Sequence, residues 1–569
     1  MPRAAPPFWR PFHRSPERGG GKVFKTVTGA AGRGHPGVNT RLEPVPGPTF
    51  YVTTPIYYVN DAPHIGHGYT TTIGDVLTRW HRQRGERVWY LTGVDEHGQK
   101  VLRKAEANGV SPQDWVDGLV EREWKPMLRT IDVANDDFIR TTEPRHETGA
   151  QAFWQDLYDR GEVYRGEFSG WYSVGSEEFV ADEYVADGEG DDAGSKVSTL
   201  DGSKLEHVTE ENYFFPLSKY ADRLLALYEE RPDFVQPESA RNEVVAFVKG
   251  GLKDLSISRS TFDWGIPLPW DDSHVMYVWI EALLNYVTAA GYGVDDERFA
   301  DLWPADLHLV GKDIVRFHAV IWPALLMAAG LPVPHQVFAH GWLLVGGQKM
   351  SKSKANGIHP TEIVDTFGSD AFRYYFSRAL TFGSDGSISW EDIGARYHAE
   401  LANGFGNLAS RVAAMIGKYF DGSLPAAGPH GAAEQRVVDL VAEAVAAADA
   451  AIDRVAPQDA VAEIWRIVDA LNLYITDTQP WAVAKDESQR ERLGTILNTA
   501  AEGLRVLAVA LHPVMPKSTQ SLWESLGAEP GLGPLAAQRI DEVAAWGQLE
   551  PGSAITKVPS LFPRIDLEQ

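Results

Sequence analysis

The sequence predicts an α/β fold: a parallel sheet split by an insert, followed by a bundle of helices. Three observations predict it. First, a β-rich run at Phe50-Tyr51-Val52-Thr53-Thr54 leads into a turn at Asn60-Asp61-Ala62-Pro63. A helical pattern over about 68–84 and a second β-rich run over 87–91 follow, which is the opening unit of a parallel sheet. Second, the texture changes over 163–268 to short β-like pieces and turns, with an acidic, Gly-rich stretch at 187–192. Third, after about residue 393 the apolar residues keep a helical rhythm. Val461, Ile464, Trp465, Val468, Leu471 and Ile475 form one stripe, and Leu493, Ile496, Leu497, Ala500, Leu504, Leu507 and Leu511 form another.

Taken in order, residues 1–48 hold eight Lys/Arg, two Glu and no Asp among many Pro and Gly. They lack the apolar stretch of a secretory signal and read as a disordered basic leader. Residues 49–162 carry the first half of the sheet, with helical patterns at 105–129 and 143–160. Residues 163–268 are the connective insert. Strand and helix signals resume at 275–286, 307–310 and 314–329, so 269–340 is the second half. Residues 341–393 hold a lysine-bearing loop and its connection, and 394–569 hold the bundle with a C-terminal tail.

Composition narrows the function. With 569 residues, 44% hydrophobic and 23% charged, the chain can bury several cores. It has no cysteine, which removes disulfides, thiolate-bound metal and a cysteine nucleophile. The net charge of −25 argues against a general nucleic-acid coat protein and leaves room for a local basic surface. No run of 18 apolar residues occurs. The nearest candidate, 319–333, is broken by Pro323 and Pro332, so no membrane span is expected.

Two motifs carry chemistry. His64-Ile65-Gly66-His67 places two imidazoles three residues apart at a helix start, with a glycine that admits close approach. The unpaired N–H groups of a helix start favour an anion there, at the carboxyl end of a parallel strand. The plainer alternative is a pair of histidines that only cap the helix. Lys349-Met350-Ser351-Lys352-Ser353 follows Gly346-Gly347. Two lysines on a loop can neutralise charge developing on a triphosphate; the plainer alternative is a solvated basic turn.

Together these motifs resemble the class I aminoacyl-tRNA synthetases. Tyr51-Val-Thr-Thr-Pro-Ile-Tyr-Tyr-Val-Asn-Asp-Ala-Pro-His-Ile-Gly-His67, Leu91-Thr-Gly-Val-Asp-Glu-His-Gly98, Tyr277-Val-Trp-Ile-Glu-Ala-Leu-Leu-Asn-Tyr286 and Gly311-Lys-Asp-Ile-Val-Arg-Phe-His318 are similar to the methionyl members in particular. The resemblance runs from about Phe50 to near the C-terminus. It implies a Rossmann-type catalytic domain and a bundle that binds the anticodon. It also implies a cytoplasmic ligase that activates L-methionine with ATP and Mg²⁺ and passes it to initiator and elongator tRNA(Met). A monomer is expected, because no further module follows the bundle.

The same resemblance assigns residues. His64, Gly66 and His67 would meet the phosphates, with Asn60 nearby. Lys349 and Lys352 would hold the pyrophosphate end, and Gly311, Lys312 and Asp313 the adenosine side. Asp95 would grip the substrate ammonium. Ile56, Tyr58, Trp279, Ala282, Leu283, Tyr286, Ile314, His318 and Trp322 would wall the methionine pocket, although Trp279, Leu283 and Tyr286 also fit a core stripe. Arg259 would lie near the carboxylate or pyrophosphate, with a surface ion pair as its alternative. Asn403, Asn407, Arg411 and Trp481, set up by Pro480, would read the anticodon; a core position is the alternative for Trp481.

Two departures stand out. Glu281 replaces the aspartate of many relatives and keeps the charge. Ser173 and Ser176 stand where many relatives begin a zinc knuckle with Cys-x-x-Cys, and serine hydroxyls are poor zinc ligands, so an insert without zinc, held by apolar packing and a turn at Val174-Gly175, is expected. Leucyl, isoleucyl and valyl enzymes carry larger editing inserts than 163–268 allows, and a cysteinyl enzyme would need a thiolate zinc site. A non-catalytic relative would not need His64, His67, Lys352 and Asp95 intact. A nucleotidyltransferase that never meets tRNA would leave the bundle without a task.

Overall fold

The computed structural model describes residues 49–173, 178–180, 182–188, 194–199, 202–345, 348–349 and 358–566. The leader, the expected turn at Val174-Gly175, Ser176 and the stretch with Met350, Ser351, Lys352 and Ser353 lie outside them.

Six parallel strands form the central sheet: β1 (Phe50–Tyr58), β2 (Val88–Asp95), β3 (Asp137–Arg140), β4 (Val235–Gln236), β5 (Leu307–Gly311) and β6 (Gln336–His340). Their order is β3-β2-β1-β5-β6-β4. The winding therefore reverses between β1 and β5, which opens a crevice beyond their carboxyl ends. β1 is covered on both faces. Its buried threonine hydroxyls are satisfied within the sheet: Thr54 Oγ1 lies 2.7 Å from Thr92 Oγ1, and Thr53 Oγ1 lies 2.7 Å from His308 Nδ1.

Helix α1 (Ile65–Gln83) begins three residues before the expected 68, because His64 caps it. It buries Ile65, Tyr69, Ile73, Val76, Leu77 and Trp80 on one face. The insert is built on a long antiparallel pair, Tyr164–Ser173 with Lys204–Phe215, in register from Tyr164↔Phe214 to Ser173↔Leu205. The chain returns to the main sheet earlier than the expected boundary at 268. β4 already pairs with β6, Val337 opposite Val235, because this short apolar edge covers the rim of the sheet. The second half supplies α2 (Val278–Leu283), β5 and β6.

The boundary expected at 393/394 falls inside a continuous helical run. Trp390–Arg396 passes through widened turns at Tyr397–Gly406 into α3 (Asn407–Phe420). With α4 (Ala432–Asp453), α5 (Pro457–Thr478) and α6 (Arg490–Ala510) it forms the bundle. Both expected stripes are buried. Residues 487–510 are long and apolar enough by composition to cross a membrane, although their apolar residues form no unbroken run of 18. The apolar window is wholly buried against its neighbours, the place of a core helix.

One apolar core joins α1 to the bundle, taking in Ile73, Leu77, Val441, Leu471 and Leu504. Polar bonds reinforce it. Trp80 Nε1 and Arg84 Nε donate to Asp449 Oδ1 at 2.8 and 2.7 Å, and Gln83 Nε2 donates to Val509 O at 3.0 Å. Deeper still, the fully buried Arg373 donates to Asp75 Oδ2 of α1 at 2.6 Å and to the carbonyls of Ile131, Asp132, Pro513 and Val514. Burial would raise the Asp75 carboxyl, but Arg373 and Arg79 hold it below the usual range.

Candidate active site

A cavity of about 340 Å³ fills the crevice at the carboxyl ends of β1, β2, β5 and β6. One end is the start of α1. His64 Nδ1 accepts from Gly66 N at 3.1 Å, and His67 Nδ1 accepts from His64 N at 3.0 Å. The rings stack with centroids 3.8 Å apart. With both Nδ1 atoms accepting, each neutral ring carries its proton on Nε2, so each can donate from its far edge. Capping and ligand binding are therefore compatible here. Glycine is required at 66 because a Cβ would fall 2.9 Å from Cε1 of the stacked His64 ring.

The other end is an aromatic pocket. Ile56, Tyr58, Trp279, Ala282, Leu283, Tyr286, Ile314, Phe317 and His318 line it, and Trp279 stacks on Phe317 at 4.9 Å. His318 Nδ1 lies 3.0 Å from Ile314 O, an acceptor only, so it donates. Burial lowers this imidazole to about 4, so at neutral pH its Nε2 has no proton and accepts from Tyr286 OH at 2.8 Å. Burial also raises the Tyr286 phenol, which keeps it a donor. The tyrosine is thereby locked in the wall.

Asp95, the last residue of β2, is buried and lines the same cavity. Gly311 and Asp313 line it too, and a Cβ at 311 would collide with Asp313 Oδ1. Lys312 points elsewhere. Its Nζ pairs with Asp385 at 2.7 Å and lies 4.0 Å from the Trp342 ring centre. Asn60 sits in the turn before α1, off the cavity wall. Trp322 is one layer behind the wall, donating from Nε1 to His308 Nε2 at 3.3 Å and facing Tyr286 at 6.0 Å. Arg259 is not on the surface. It is 2% exposed, 4.0 Å from the Tyr277 ring centre, and donates to Ser258 O at 2.7 Å.

Of the lysine motif, Lys349 belongs to the short strand Gln348–Lys349, pairing with Leu344, and Lys352 lies outside the described residues. The flanks of this segment reach the cavity. Gly341, Trp342 and Leu343 line it, and Ile358 O accepts from Ile65 N at 2.9 Å. His340 is a further wall residue the motifs did not reveal. Like Asp95 it ends a parallel strand, and its Nε2 lies 2.7 Å from Thr70 Oγ1.

In the bundle, Asn403 and Asn407 are exposed and Arg411 is half-buried, all at spacings of four along one helical run. Trp481 is 42% exposed, which excludes the core alternative, and buried Pro480 begins its short helix. Asn472 of α5 donates to Gly404 O at 3.3 Å, so α5, which runs toward Trp481, packs beside the two asparagines. In the insert, Ser173 Oγ lies 2.7 Å from Ser203 Oγ. Among the described residues no group of three or more His, Cys, Asp or Glu could hold a metal.

A family model described as tRNA synthetases class I (M) matches residues 50–413, and one described as the anticodon binding domain of methionyl tRNA ligase matches 424–569. The chain belongs to the class I methionyl-tRNA synthetases. The methionine–tRNA ligase of Streptomyces coelicolor is 60% identical over 520 residues, covering 91% of this chain and 97% of that protein. That of Caldanaerobacter subterraneus is 48% identical over 523 residues, covering 92% and 80%. A crystal structure of Mycobacterium tuberculosis methionyl-tRNA synthetase bound by methionyl-adenylate superposes with a TM-score of 0.86 at 39% identity, covering 90% of this chain and all of that one.

Proposed function

We propose that this synthetase carries out both steps of methionine–tRNA ligation in the crevice between His64 and Tyr286. The methionine carboxylate attacks the α-phosphate of Mg²⁺-bound ATP, and pyrophosphate leaves. A ribose hydroxyl of the terminal adenosine of tRNA(Met) then attacks the acyl carbon, and AMP leaves. The protein supplies no nucleophile. It holds two anions in line and offsets their repulsion.

The observation that carries this reading is the convergence of three chemistries on one cavity. The Nε2 edges of His64 and His67 and the N-terminus of α1 suit phosphate. Asp95 suits an ammonium. The sulfur-friendly aromatic wall of Trp279, Phe317 and Tyr286 suits a thioether, each contact contributing about 0.3–1.5 kcal/mol. Gly311 and Asp313 are assigned to the adenosine side, and Lys349 and Lys352 to pyrophosphate. Lys312, Asn60, Trp322 and Arg259 act from outside the wall.

Asn403, Asn407, Arg411 and Trp481 are assigned to the anticodon of initiator and elongator tRNA. A separate groove lined by Lys100, Arg103, Lys104 and Lys204, with Glu206 paired to Arg103, offers a net basic surface of the kind an acidic chain needs for RNA phosphates. The insert is assigned no zinc, the enzyme acts as a monomer, and its bacterial relatives point to a cytoplasmic location.

Amino-acid-dependent pyrophosphate exchange with a panel of amino acids, followed by charging of both tRNA(Met) species, tests the reading. Methionine alone is expected to drive exchange. Exchange driven by leucine or cysteine would overturn it. Lys352→Ala is expected to slow exchange by about 10²–10³; normal adenylate formation in that variant would remove the lysine from the mechanism.

A further inference from the structure

The end of β2 and the loop after it turn three successive side chains in three directions. Asp95 faces the cavity. Glu96 is taken by Arg140 Nε at 2.8 Å and by the Thr142 hydroxyl, while its amide donates to Thr141 Oγ1 at 3.0 Å. His97, fully interior, meets Glu281 Oε1 from its Nδ1 at 2.7 Å. Trp264 closes over this imidazole edge-to-face at 5.2 Å, donates from Nε1 to Glu96 O at 2.7 Å and accepts from Gly98 N at 3.2 Å.

Glu281 is the only carboxylate of α2, a helix of six residues. It is completely buried, yet neither it nor His97 lines the cavity. Its helix neighbours Trp279, Ala282 and Leu283 do. A third element reaches the same oxygen: His146 Nε2, on the helix Pro144–Asp159, lies 3.6 Å from Glu281 Oε1, while its Nδ1 lies 2.8 Å from Thr288 Oγ1. Glu281 Oε2 has no hydrogen-bond partner, so the carboxylate depends on the His97 and His146 side.

We infer that the His97–Glu281 pair is a positioning device that sets the width of the amino-acid pocket. It fixes the wall carried by α2 relative to the Asp95 loop and so tunes discrimination among methionine-like side chains. The inference rests on the assignment of Asp95 and α2 to the methionine pocket. Neither residue touches substrate. The pair joins the group that would grip the amine to the wall that would read the side chain, so a displacement there is felt as substrate affinity and selectivity. The state of the pair fits the role. Burial would strip the proton from His97, but Glu281 and Glu96 raise its affinity for that proton. Burial likewise opposes ionisation of Glu281, and His97 and His146 bring its carboxyl below the usual range. Both shifts favour the ionic form of the bond, and a charge-assisted hydrogen bond is short and strong.

The test is pyrophosphate exchange by His97→Gln, Glu281→Gln, Glu281→Asp and the double variant His97→Gln/Glu281→Gln, with KM measured for methionine, ethionine and ATP. The two single Gln variants are expected to raise the methionine KM about tenfold, the fold-change of a coupling of about 1.4 kcal/mol. They should also alter the methionine-to-ethionine ratio and leave the ATP KM unchanged. The double variant should be no worse than the worse single one, and Glu281→Asp, which keeps the charge, should lie between wild type and Glu281→Gln. A merely structural pair would lower Tm and the active fraction while leaving both KM values and the ratio at wild type, and that result overturns the inference. So does a Glu281→Asp variant as impaired as Glu281→Gln. If Glu281→Gln does not fold, His97→Gln carries the same comparison. Absence of methionine-dependent exchange in the wild type would instead sink the underlying assignment of function.

Discussion

Asp95 and His318 show how single residues divide the work of the cavity. Asp95 places a buried carboxylate on the cavity wall, and the proposed function pairs it with the substrate ammonium. Removing one member of such a pair costs about 2–5 kcal/mol. Asp95→Ala is therefore expected to raise the methionine KM about 30-fold or more while the ATP KM stays near wild type, as read by steady-state pyrophosphate exchange. His318 does the opposite job. Kept neutral by burial, it places no charge in the aromatic end of the cavity. Much of this was legible in the chain, because His64, Gly66, His67, Asp95 and the 277–286 block sit in contiguous motifs. His340 and Trp342 were not legible, since they reach the cavity from a strand end and the loop after it, which only tertiary folding brings there; Phe317 lies inside the 311–318 block but was given no role. The rule that parallel sheets bind at the carboxyl ends of their strands would have flagged His340, the last residue of β6.

Among the elements, α4 shows how a helix start can set a pH limit. Glu434 closes the first turn: Gly431 N donates to Oε2 at 2.8 Å, and Tyr474 OH and Arg492 Nη2 donate to Oε1 at 2.6 and 2.8 Å. Burial opposes the charge, but these donors hold the carboxyl down at about 2, against 4.5 for the free group. A depressed carboxylate stabilises the fold above its unfolded pKa and loses that contribution as pH falls toward the folded one. Denaturant melts should show the bundle losing about 3 kcal/mol between roughly pH 4.5 and pH 2. Glu434→Gln should be less stable at pH 7 and flatter across that window. The periodic stripes of α5 and α6 announced the helices, but this cap joins three segments far apart in sequence and leaves no local pattern. The insert gives a second expectation at this scale. With Ser173 bonded to Ser203, purified, unchelated enzyme should contain only substoichiometric zinc by elemental analysis; one zinc per chain would refute it.

Across the whole molecule, Arg373 decides how independently the sheet and the bundle behave. Its guanidinium meets α1, the turn at 131–132 and the carbonyls of 513–514 in one buried node. Arg373→Met leaves the Asp75 carboxylate buried without its main partner, an error of about 3–5 kcal/mol. The expected result is a lower Tm for one cooperative transition, with pyrophosphate exchange and tRNA charging lost in parallel. Two separate transitions, or loss of charging alone, would show that the node does not bind the halves together. Sequence patterning identified both halves but drew the line between them at 393/394, inside an unbroken helical run. Hydrophobic rhythm marks where a helix lies and says nothing about which core receives it.

Helix α1 meets the cavity with its first turn and Asp449 and Val509 with its last. Grafting a foreign recognition bundle onto this catalytic half would therefore mean rewriting the distal face of the very helix whose start walls the cavity. Chimeras spliced behind α1 should fail at the seam, while those that transplant the helix together with its bundle keep a matched joint. Exchange of specificity between such enzymes by simple recombination is constrained by that shared segment.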